Sequence, residues 1–142
     1  MLSSEALEEI EKILDEIRQI SKEGTPIIVE GEKDEKSLRE LDIKGPIYHI
    51  SGNQKSTLNF LESLRGYEKV VVLTDFDQEG DKLARFSSKH LPKLGVDAEL
   101  DLRKKLKKYV RKGVKDIEGL SKFFKREKLE NSKDNSRVNQ NP

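Results

Sequence analysis

The stretch Val70-Val-Val-Leu-Thr-Asp-Phe-Asp-Gln-Glu-Gly-Asp81 joins an uninterrupted apolar run to a cluster of acidic residues. A continuous Val/Leu run is typical of a strand that is buried on both faces of a sheet. An earlier apolar run over residues 26–29 ends in the same way, in Glu30-Gly31. Open parallel sheets bind their ligands in the crevice at the carboxyl ends of their strands. The two runs therefore predict that acidic side chains from two strands meet in one crevice.

The rest of the chain alternates between short apolar runs and amphipathic segments. Apolar residues at helical spacing predict an N-terminal helix over Ser4–Lys22. Further strands are predicted at 27–30, 47–50, 69–74 and 96–100, and further helices at 34–41, between an Asn53 cap and Gly66, at 79–94, at 102–112 and at 116–128. Strand–helix alternation of this kind is typical of an α/β fold with a mostly parallel four-stranded sheet flanked by helices.

The composition predicts a single domain with added segments. We expect an N-terminal helix at 1–24, the α/β domain at 25–102, a short basic helical lobe at 103–129 and a disordered tail at 130–142, which is rich in Asn, Ser, Lys and Asp. The absence of cysteine excludes disulfides and thiolate metal sites. Apolar runs too short for a membrane span, and a first segment without a basic signal-peptide start, predict a soluble cytoplasmic protein with no membrane partner.

Charge is divided unevenly along the chain. Residues 1–102 carry 14 Lys and Arg against 22 Asp and Glu, whereas residues 103–128 carry 12 against 3. A basic segment beside an acidic domain suits a polyanion, because cations can hold phosphates while one phosphate reaches the acidic crevice. The alternative is a solvated, Lys-rich helical face. The predicted nucleic-acid contacts are Arg103, Lys104, Lys105, Lys107 and Lys108.

The acidic residues have a pattern that suits a metal ion. Asp75 and Asp77 stand two residues apart at a strand end, so extended backbone directs both carboxylates to one side. Such a pair can hold one hydrated Mg²⁺, with Mn²⁺ as the alternative ion. Glu30 completes the site or acts as general acid/base, and Asp81 is an outer ligand or favours the helix dipole. Alternatively, Asp75, Asp77 and Asp81 are ordinary turn and N-cap residues.

Two lysines are candidate phosphate contacts near this crevice. Lys33 lies next to the Glu-Gly turn, and Lys55 follows the end of the second predicted strand. Backbone N–H groups of Ser51 and Gly52 could bind phosphate at the start of the next helix. The alternative for both lysines is a solvated surface position.

The two acidic motifs resemble those of the Toprim domain. Glu30-Gly31 after one strand, and Asp75-x-Asp77-x-x-Gly80-Asp81 after a later one, match its signatures over roughly residues 25–102. The domain is shared by type IA and type II topoisomerases, bacterial-type primases, overcoming-lysogenization-type nucleases and ribonucleases that mature small ribosomal RNA. The resemblance implies a Rossmann-like fold, with Glu30 as general acid/base, Asp75 and Asp77 as the metal pair and Asp81 as a further acid. It also implies that Gly31 and Gly80 let backbone pass close to substrate.

Departures from the family pattern distinguish this chain from topoisomerases and primases. Gln78 stands where topoisomerases usually carry Arg, and Phe76 replaces a small residue or Pro. Topoisomerases and primases add large or zinc-binding domains, for which this chain has neither the length nor the cysteines. The resemblance is therefore to small stand-alone Toprim proteins of archaeal type.

Two functions of different classes follow from this resemblance. We expect a Mg²⁺-dependent nuclease that hydrolyses phosphodiester bonds, with RNA favoured over DNA because the small relatives mature ribosomal RNA. The alternative is a non-catalytic nucleic-acid-binding adaptor, or an accessory subunit of an RNA- or DNA-processing complex. In either case the N-terminal helix is a candidate surface for a protein partner or for a second copy of the chain.

Overall fold

A four-stranded parallel sheet organises the protein. The structure, a computed structural model, describes residues 2–50 and 54–139. Strands β1 (Ile27–Val29), β2 (Ile47–His49), β3 (Lys69–Val72) and β4 (Asp97–Glu99) lie in the order β2-β1-β3-β4, with every neighbouring pair parallel. This arrangement confirms the predicted α/β fold class. It also makes β1 and β3, the two strands that end in acidic residues, direct neighbours in the centre of the sheet.

Six helices in the described part of the chain surround the sheet. They are α1 (Ser4–Lys22), α2 (Glu32–Glu40), α3 (Gln54–Glu62), α4 (Gln78–His90), α5 (Asp101–Val110) and α6 (Leu120–Asn139), with a 3₁₀ turn at Pro92–Leu94. The bounds of α1 are those that its apolar spacing predicted. Its start is fixed by Ser3, whose side chain accepts a hydrogen bond from the N–H of Ala6 at 3.1 Å.

Several boundaries differ from the prediction for local reasons. Helix α2 begins at Glu32, earlier than predicted, because the Asp34 carboxylate accepts the N–H of Gly31 at 3.0 Å and starts the helix there. Helix α6 begins at Leu120 rather than at residue 116, and it extends to Asn139. The helix therefore enters the stretch 130–142, for which composition predicted a disordered tail. The predicted Asn53 cap lies outside the described residues.

Alternate residues of the central strands face two apolar layers. Val71 packs with α1, α5 and α6 on one side, whereas Val70 and Val72 pack with α3 and α4 on the other. Leu106 and Val110 of α5 are completely buried in the first layer. The predicted basic lobe thus contributes one wall of the core; Lys104, Lys105 and Lys108 are exposed on its outer side, whereas Arg103 is buried. No helix in residues 2–50 or 54–139 combines the length and the apolar character that a membrane crossing requires.

Candidate metal centre and nucleic-acid interface

The carboxyl ends of β1 and β3 bring Glu30 and Asp75 into contact. Ile28 pairs with Val72 in the sheet, so the residues that follow them leave the same end side by side. The Glu30 carboxylate accepts a hydrogen bond from the N–H of Asp75, with 2.7 Å between Oε2 and nitrogen. Two acidic residues that lie 45 positions apart in the chain thus share one crevice, where open parallel sheets bind their ligands.

A loop from the C-terminal half of the chain closes over Asp75. The Asp75 carboxylate accepts the N–H of Ile117, with 2.8 Å from Oδ1 to nitrogen, and the N–H of Phe76 donates to the carbonyl of Lys115 at 2.8 Å. These bonds also explain why α6 starts late, since residues 115–117 are drawn to the end of β3. The neighbouring Asp116 caps its own turn by accepting the N–H of Gly119 at 2.8 Å. The loop therefore adds a further carboxylate to the acidic crevice.

Burial and repulsion make the crevice electrostatically unfavourable when it holds no cation. Burial raises the pKa of Asp75 to about 7; the N–H of Ile117 opposes this shift, and Glu30 and Asp116 add to it. Burial also raises the pKa of Asp34, with repulsion from Asp75 and Asp116 in the same direction and the N–H groups of Gly31 and Glu118 opposing it. Crowded carboxylates of raised pKa create a negative potential that a bound cation would relieve.

The donor atoms fit a hard divalent cation. Carboxylate oxygens are the ligands that Mg²⁺ and Mn²⁺ prefer, and Mg²⁺ is usually held by one or two carboxylates with water and phosphate completing its shell. Within residues 2–50 and 54–139, no group of three or more His, Cys, Asp or Glu side chains is arranged to hold an ion by itself. An ion at this crevice would thus need water or substrate oxygens beside the protein carboxylates, and the metal-binding role of Asp75 stays a prediction.

Asp77 lies on the rim of the crevice, at the start of α4. Its carboxylate accepts the N–H of Gly80, with 2.7 Å between Oδ1 and nitrogen, and its side chain is exposed to solvent. This is the N-cap geometry that the sequence offered as an alternative to metal binding. Solvent exposure leaves Asp77 accessible to a hydrated cation, so its place as the second carboxylate of the metal pair stays a prediction.

Each acidic motif contains one glycine, Gly31 in the first and Gly80 in the second, and the two have different surroundings. A Cβ on Gly80 would lie 1.8 Å from the carbonyl oxygen of Asp75, so any side chain there would collide with backbone. A Cβ on Gly31 would meet no atom within 4 Å. Gly80 is therefore required by the packing of the turn itself, whereas the protein leaves open space above Gly31.

Asp81 is engaged with cations of α5. Its carboxylate accepts a hydrogen bond from the Arg103 guanidinium at 2.7 Å and from the Lys107 ammonium at 2.9 and 3.0 Å. Burial acts to raise the pKa of Asp81, but the two cations outweigh it and the pKa is lowered. Asp81 was predicted to be an outer metal ligand or an acid that favours the helix dipole. It lies in the first turn of α4, and its carboxylate has two protein cations as partners.

The predicted nucleic-acid contacts on α5 differ in how far their side chains are exposed to solvent. Arg103 has a side chain only 9% exposed, so its position does not suit contact with nucleic acid. Lys105 is exposed but pairs with Asp101 at 3.1 Å, and Lys104 and Lys108 are exposed on the outer face of α5. A shallow groove on that face is lined by Lys104, Lys105, Lys107, Lys108 and Arg111 with Asp101. The groove brings together four of the five predicted cations, and its contact with nucleic acid stays a prediction.

The remaining predicted phosphate contacts are peripheral. Lys33 is exposed in the first turn of α2, beside the acidic crevice, and Lys55 is exposed in the first turn of α3. Ser51 and Gly52 lie outside the described residues. Asp116 and Ile117 also reach the crevice, although no motif in the sequence marks them. The flanking glycines at 113 and 119 are the features that indicate a tight turn there.

Comparisons with known proteins show the family of the chain. The Toprim domain model matches residues 25–118, and thus also covers the loop that closes over Asp75. The UPF0292 protein Mbar_A0484 of Methanosarcina barkeri is 39% identical over 124 residues, which cover 87% of this chain and 85% of the relative. The UPF0292 protein PH1700 of Pyrococcus horikoshii is 35% identical over 119 residues, covering 84% and 86%.

A solved structure has a similar fold. A protein from Aquifex aeolicus superposes with a TM-score of 0.63 and 27% identity, covering 76% of this chain and 94% of that one. The chain therefore belongs to the Toprim family, among small archaeal UPF0292 proteins, and this membership indicates a metal-dependent function related to nucleic acid.

Proposed function

We propose that the protein is a Mg²⁺-dependent nuclease that hydrolyses phosphodiester bonds, with RNA preferred over DNA. The observation that carries this proposal is the contact between Glu30 and Asp75 at the ends of the two central strands. The pKa of Asp75, raised to about 7 by burial and then by neighbouring carboxylates, supports a cation at this point. Toprim domains typically bind Mg²⁺, in agreement with the oxygen-only donors.

The residues of the crevice have complementary roles in this proposal. Asp75, together with the exposed Asp77, would hold Mg²⁺. When bound, the ion supplies charge neutralisation at the phosphate and lowers the pKa of water. Glu30 is fixed by the N–H of Asp75, so its carboxylate is positioned to accept a proton from the attacking water or to return one to the leaving oxygen. The cations on the outer face of α5 would hold neighbouring phosphates.

The preference for RNA rests on the resemblance of the two motifs to those of ribonucleases that mature ribosomal RNA. The groove on α5 binds by charge in this proposal, and charge alone does not separate RNA from DNA. Substrate preference is therefore measured on structured RNA, single-stranded DNA and duplex DNA side by side.

Glu30→Gln should abolish most of the cleavage while the fold is kept. Gln retains an oxygen that accepts the N–H of Asp75 but cannot exchange a proton near neutral pH, and general acid–base catalysis is worth about 100-fold or more. Cleavage of end-labelled RNA and DNA is followed with Mg²⁺, Mn²⁺ or EDTA. The matched control is Glu68→Gln, the same change at an exposed residue just before β3, at the opposite end of the sheet. Equal cleavage by the Glu30 variant and wild type would exclude Glu30 as the acid/base.

An adaptor that binds nucleic acid without turnover is the second candidate. The observation that favours it is the cationic groove on α5, because such a groove can bind phosphates without any reaction at Glu30. Binding without cleavage in all three substrates and both metals would support the adaptor and contradict the nuclease.

Reversing the charge of two exposed lysines on α5 should weaken binding to nucleic acid. We expect Lys104→Glu/Lys108→Glu to lose about tenfold or more in affinity near 0.1 M salt and to show a shallower salt dependence, since phosphate contacts release counterions. The matched control is Lys89→Glu/Lys93→Glu, the same charge change at exposed residues around the end of α4. Affinity is measured by fluorescence anisotropy over a salt series. An equal loss in both double variants would mean that only net charge matters and that α5 is not the binding surface.

A further inference from the structure

Arg103 is a buried cation for which contact with nucleic acid gives no explanation. Its side chain is 9% exposed and lies on the inner side of α5, beside the apolar Leu102 and Leu106 that enter the core. A buried guanidinium requires hydrogen-bond acceptors for its donors, because desolvation is costly without them. The identity of those acceptors indicates what Arg103 does.

The acceptors of Arg103 are concentrated on the segment that follows β3. Its Nε donates to the carbonyl of Thr74 at 3.0 Å, and one terminal nitrogen donates to the carbonyl of Asp75 at 2.5 Å and to the carboxylate of Asp81 at 2.7 Å. The guanidinium carbon also lies 6.0 Å from the centre of the Phe76 ring. One side chain therefore ties together the start of the acidic turn and the first turn of α4.

We propose that Arg103 is a positioning residue for the metal centre, and that Asp81 is its counter-ion rather than a metal ligand. Arg103 fixes the backbone of Thr74 and Asp75, and through it the direction in which the Asp75 carboxylate is presented. Asp81 keeps the guanidinium in place and balances its charge. This inference rests on the proposed function, since it requires a cation held by Asp75.

If Arg103 positions Asp75, removing Arg103 should change the affinity for metal in the opposite direction to the one that simple electrostatics predicts. A positive charge beside a cation site repels the cation, so removing that charge should strengthen metal binding. If Arg103 positions Asp75, removing it should instead weaken metal binding, because orientation by residues behind the ligands is typically worth about 10- to 100-fold in affinity. The sign of the change therefore separates the two roles.

Lys107 provides a matched control on the same carboxylate. Its ammonium donates to both carboxylate oxygens of Asp81, whereas Arg103 donates to one. Among the described contacts, Lys107 donates to neither the Thr74 carbonyl nor the Asp75 carbonyl. Lys107→Met and Arg103→Met both remove one positive charge next to Asp81. Only the second variant removes the hydrogen bonds to Thr74 and Asp75.

The experiment measures Mn²⁺ binding by the electron paramagnetic resonance of the free ion, at fixed pH and ionic strength, on the full chain. We expect Lys107→Met to bind Mn²⁺ as tightly as wild type or about twofold more tightly. Arg103→Met should bind about tenfold more weakly or worse, and Arg103→Lys, which can replace part of the donor set, should be intermediate. Asp81→Asn should stay within about threefold of wild type, because its amide oxygen still accepts from Arg103. Asp75→Asn should lose binding.

Each outcome decides the proposal. If Arg103→Met binds Mn²⁺ as tightly as Lys107→Met, Arg103 does not position Asp75, although the metal centre itself is still supported. Asp81→Asn that loses binding to the same extent as Asp75→Asn overturns the counter-ion role and makes Asp81 a ligand. If circular dichroism shows that Arg103→Met does not fold, Arg103→Lys and Asp81→Asn decide by the same criteria. Wild-type protein that binds no Mn²⁺ overturns both this inference and the proposed function.

Discussion

Asp75→Asn should stabilise the metal-free protein above neutral pH and remove its response to Mg²⁺. The pKa of Asp75 is about 7 in the folded protein against an ordinary value of 3.8, because burial and then repulsion disfavour its charged form. Between these values the folded state binds more protons than the unfolded state. The free energy of unfolding therefore falls as pH rises from about 4 to about 7, and the loss is complete above pH 7.

The size of this effect follows from the groups that face Asp75. Three further acids surround it, namely Glu30 at the end of β1, Asp34 in α2 and Asp116 in the C-terminal loop, while Arg103 of α5 bonds its carbonyl. A pKa of about 7 in place of 3.8 corresponds to about 4 kcal/mol, which partial exposure of the site reduces to about 2 kcal/mol. Asn keeps the acceptor for the N–H of Ile117 and offers an N–H₂ group towards Glu30, so the fold should tolerate it.

Urea unfolding between pH 5 and 9, in EDTA and in Mg²⁺, measures this prediction. Wild type in EDTA should lose stability as pH rises and should regain it when Mg²⁺ is added, because the ion binds the folded state. Asp75→Asn should show a flatter pH profile and no gain from Mg²⁺. Asp97→Asn, at an exposed strand residue, serves as the control and should follow wild type. A variant at Asp75 that is less stable than wild type at pH 8.5 in EDTA would contradict the raised pKa.

The central sheet was predictable because the apolar residues that indicate each central strand are consecutive in the sequence. The apolar run before Asp75 and the run before Glu30 are each continuous, and only strands buried on both faces need such runs. Strand–helix alternation then restricts the sheet to parallel pairing, which places both acidic ends in one crevice. Periodicity also gave the bounds of α1, whose apolar stripe is uninterrupted.

The partners of the acidic residues were not predictable in this way. Arg103 and Asp81 lie 22 positions apart, and the sequence shows two opposite charges without showing that they meet. Helical spacing did hold a clue, because Leu102, Leu106 and Val110 define the buried side of α5 and Arg103 lies on that side. The contact of Ile117 with Asp75 spans 42 positions and has no periodic trace. At the C-terminus, α6 continues through a polar stretch as far as Asn139, which composition alone did not indicate.

Gly80→Ala should disrupt the acidic turn and destabilise the protein by about 3 kcal/mol or more, as overpacking against rigid backbone does. The added methyl group would lie 1.8 Å from the carbonyl oxygen of Asp75, and neither side of that contact is a flexible side chain. Relief requires α4 to move away from β3, which would also break the 2.7 Å bond from the Thr74 hydroxyl to the carbonyl of Gly80. Thermal unfolding and Mn²⁺ binding should both be impaired.

Gly31→Ala is the counterpart that separates a structural glycine from one that faces substrate. Its φ of −155° is extended backbone open to any residue, and a Cβ there meets no protein atom within 4 Å. Loss of a glycine N-cap should cost about 1 kcal/mol at most. If nucleic acid passes over this space, the methyl group would collide with it, and affinity or cleavage should fall about tenfold while the melting temperature changes little. Full activity in the Gly31 variant would show that substrate keeps clear of the Glu-Gly turn, and the path of the nucleic acid would then have to be sought beside Asp77.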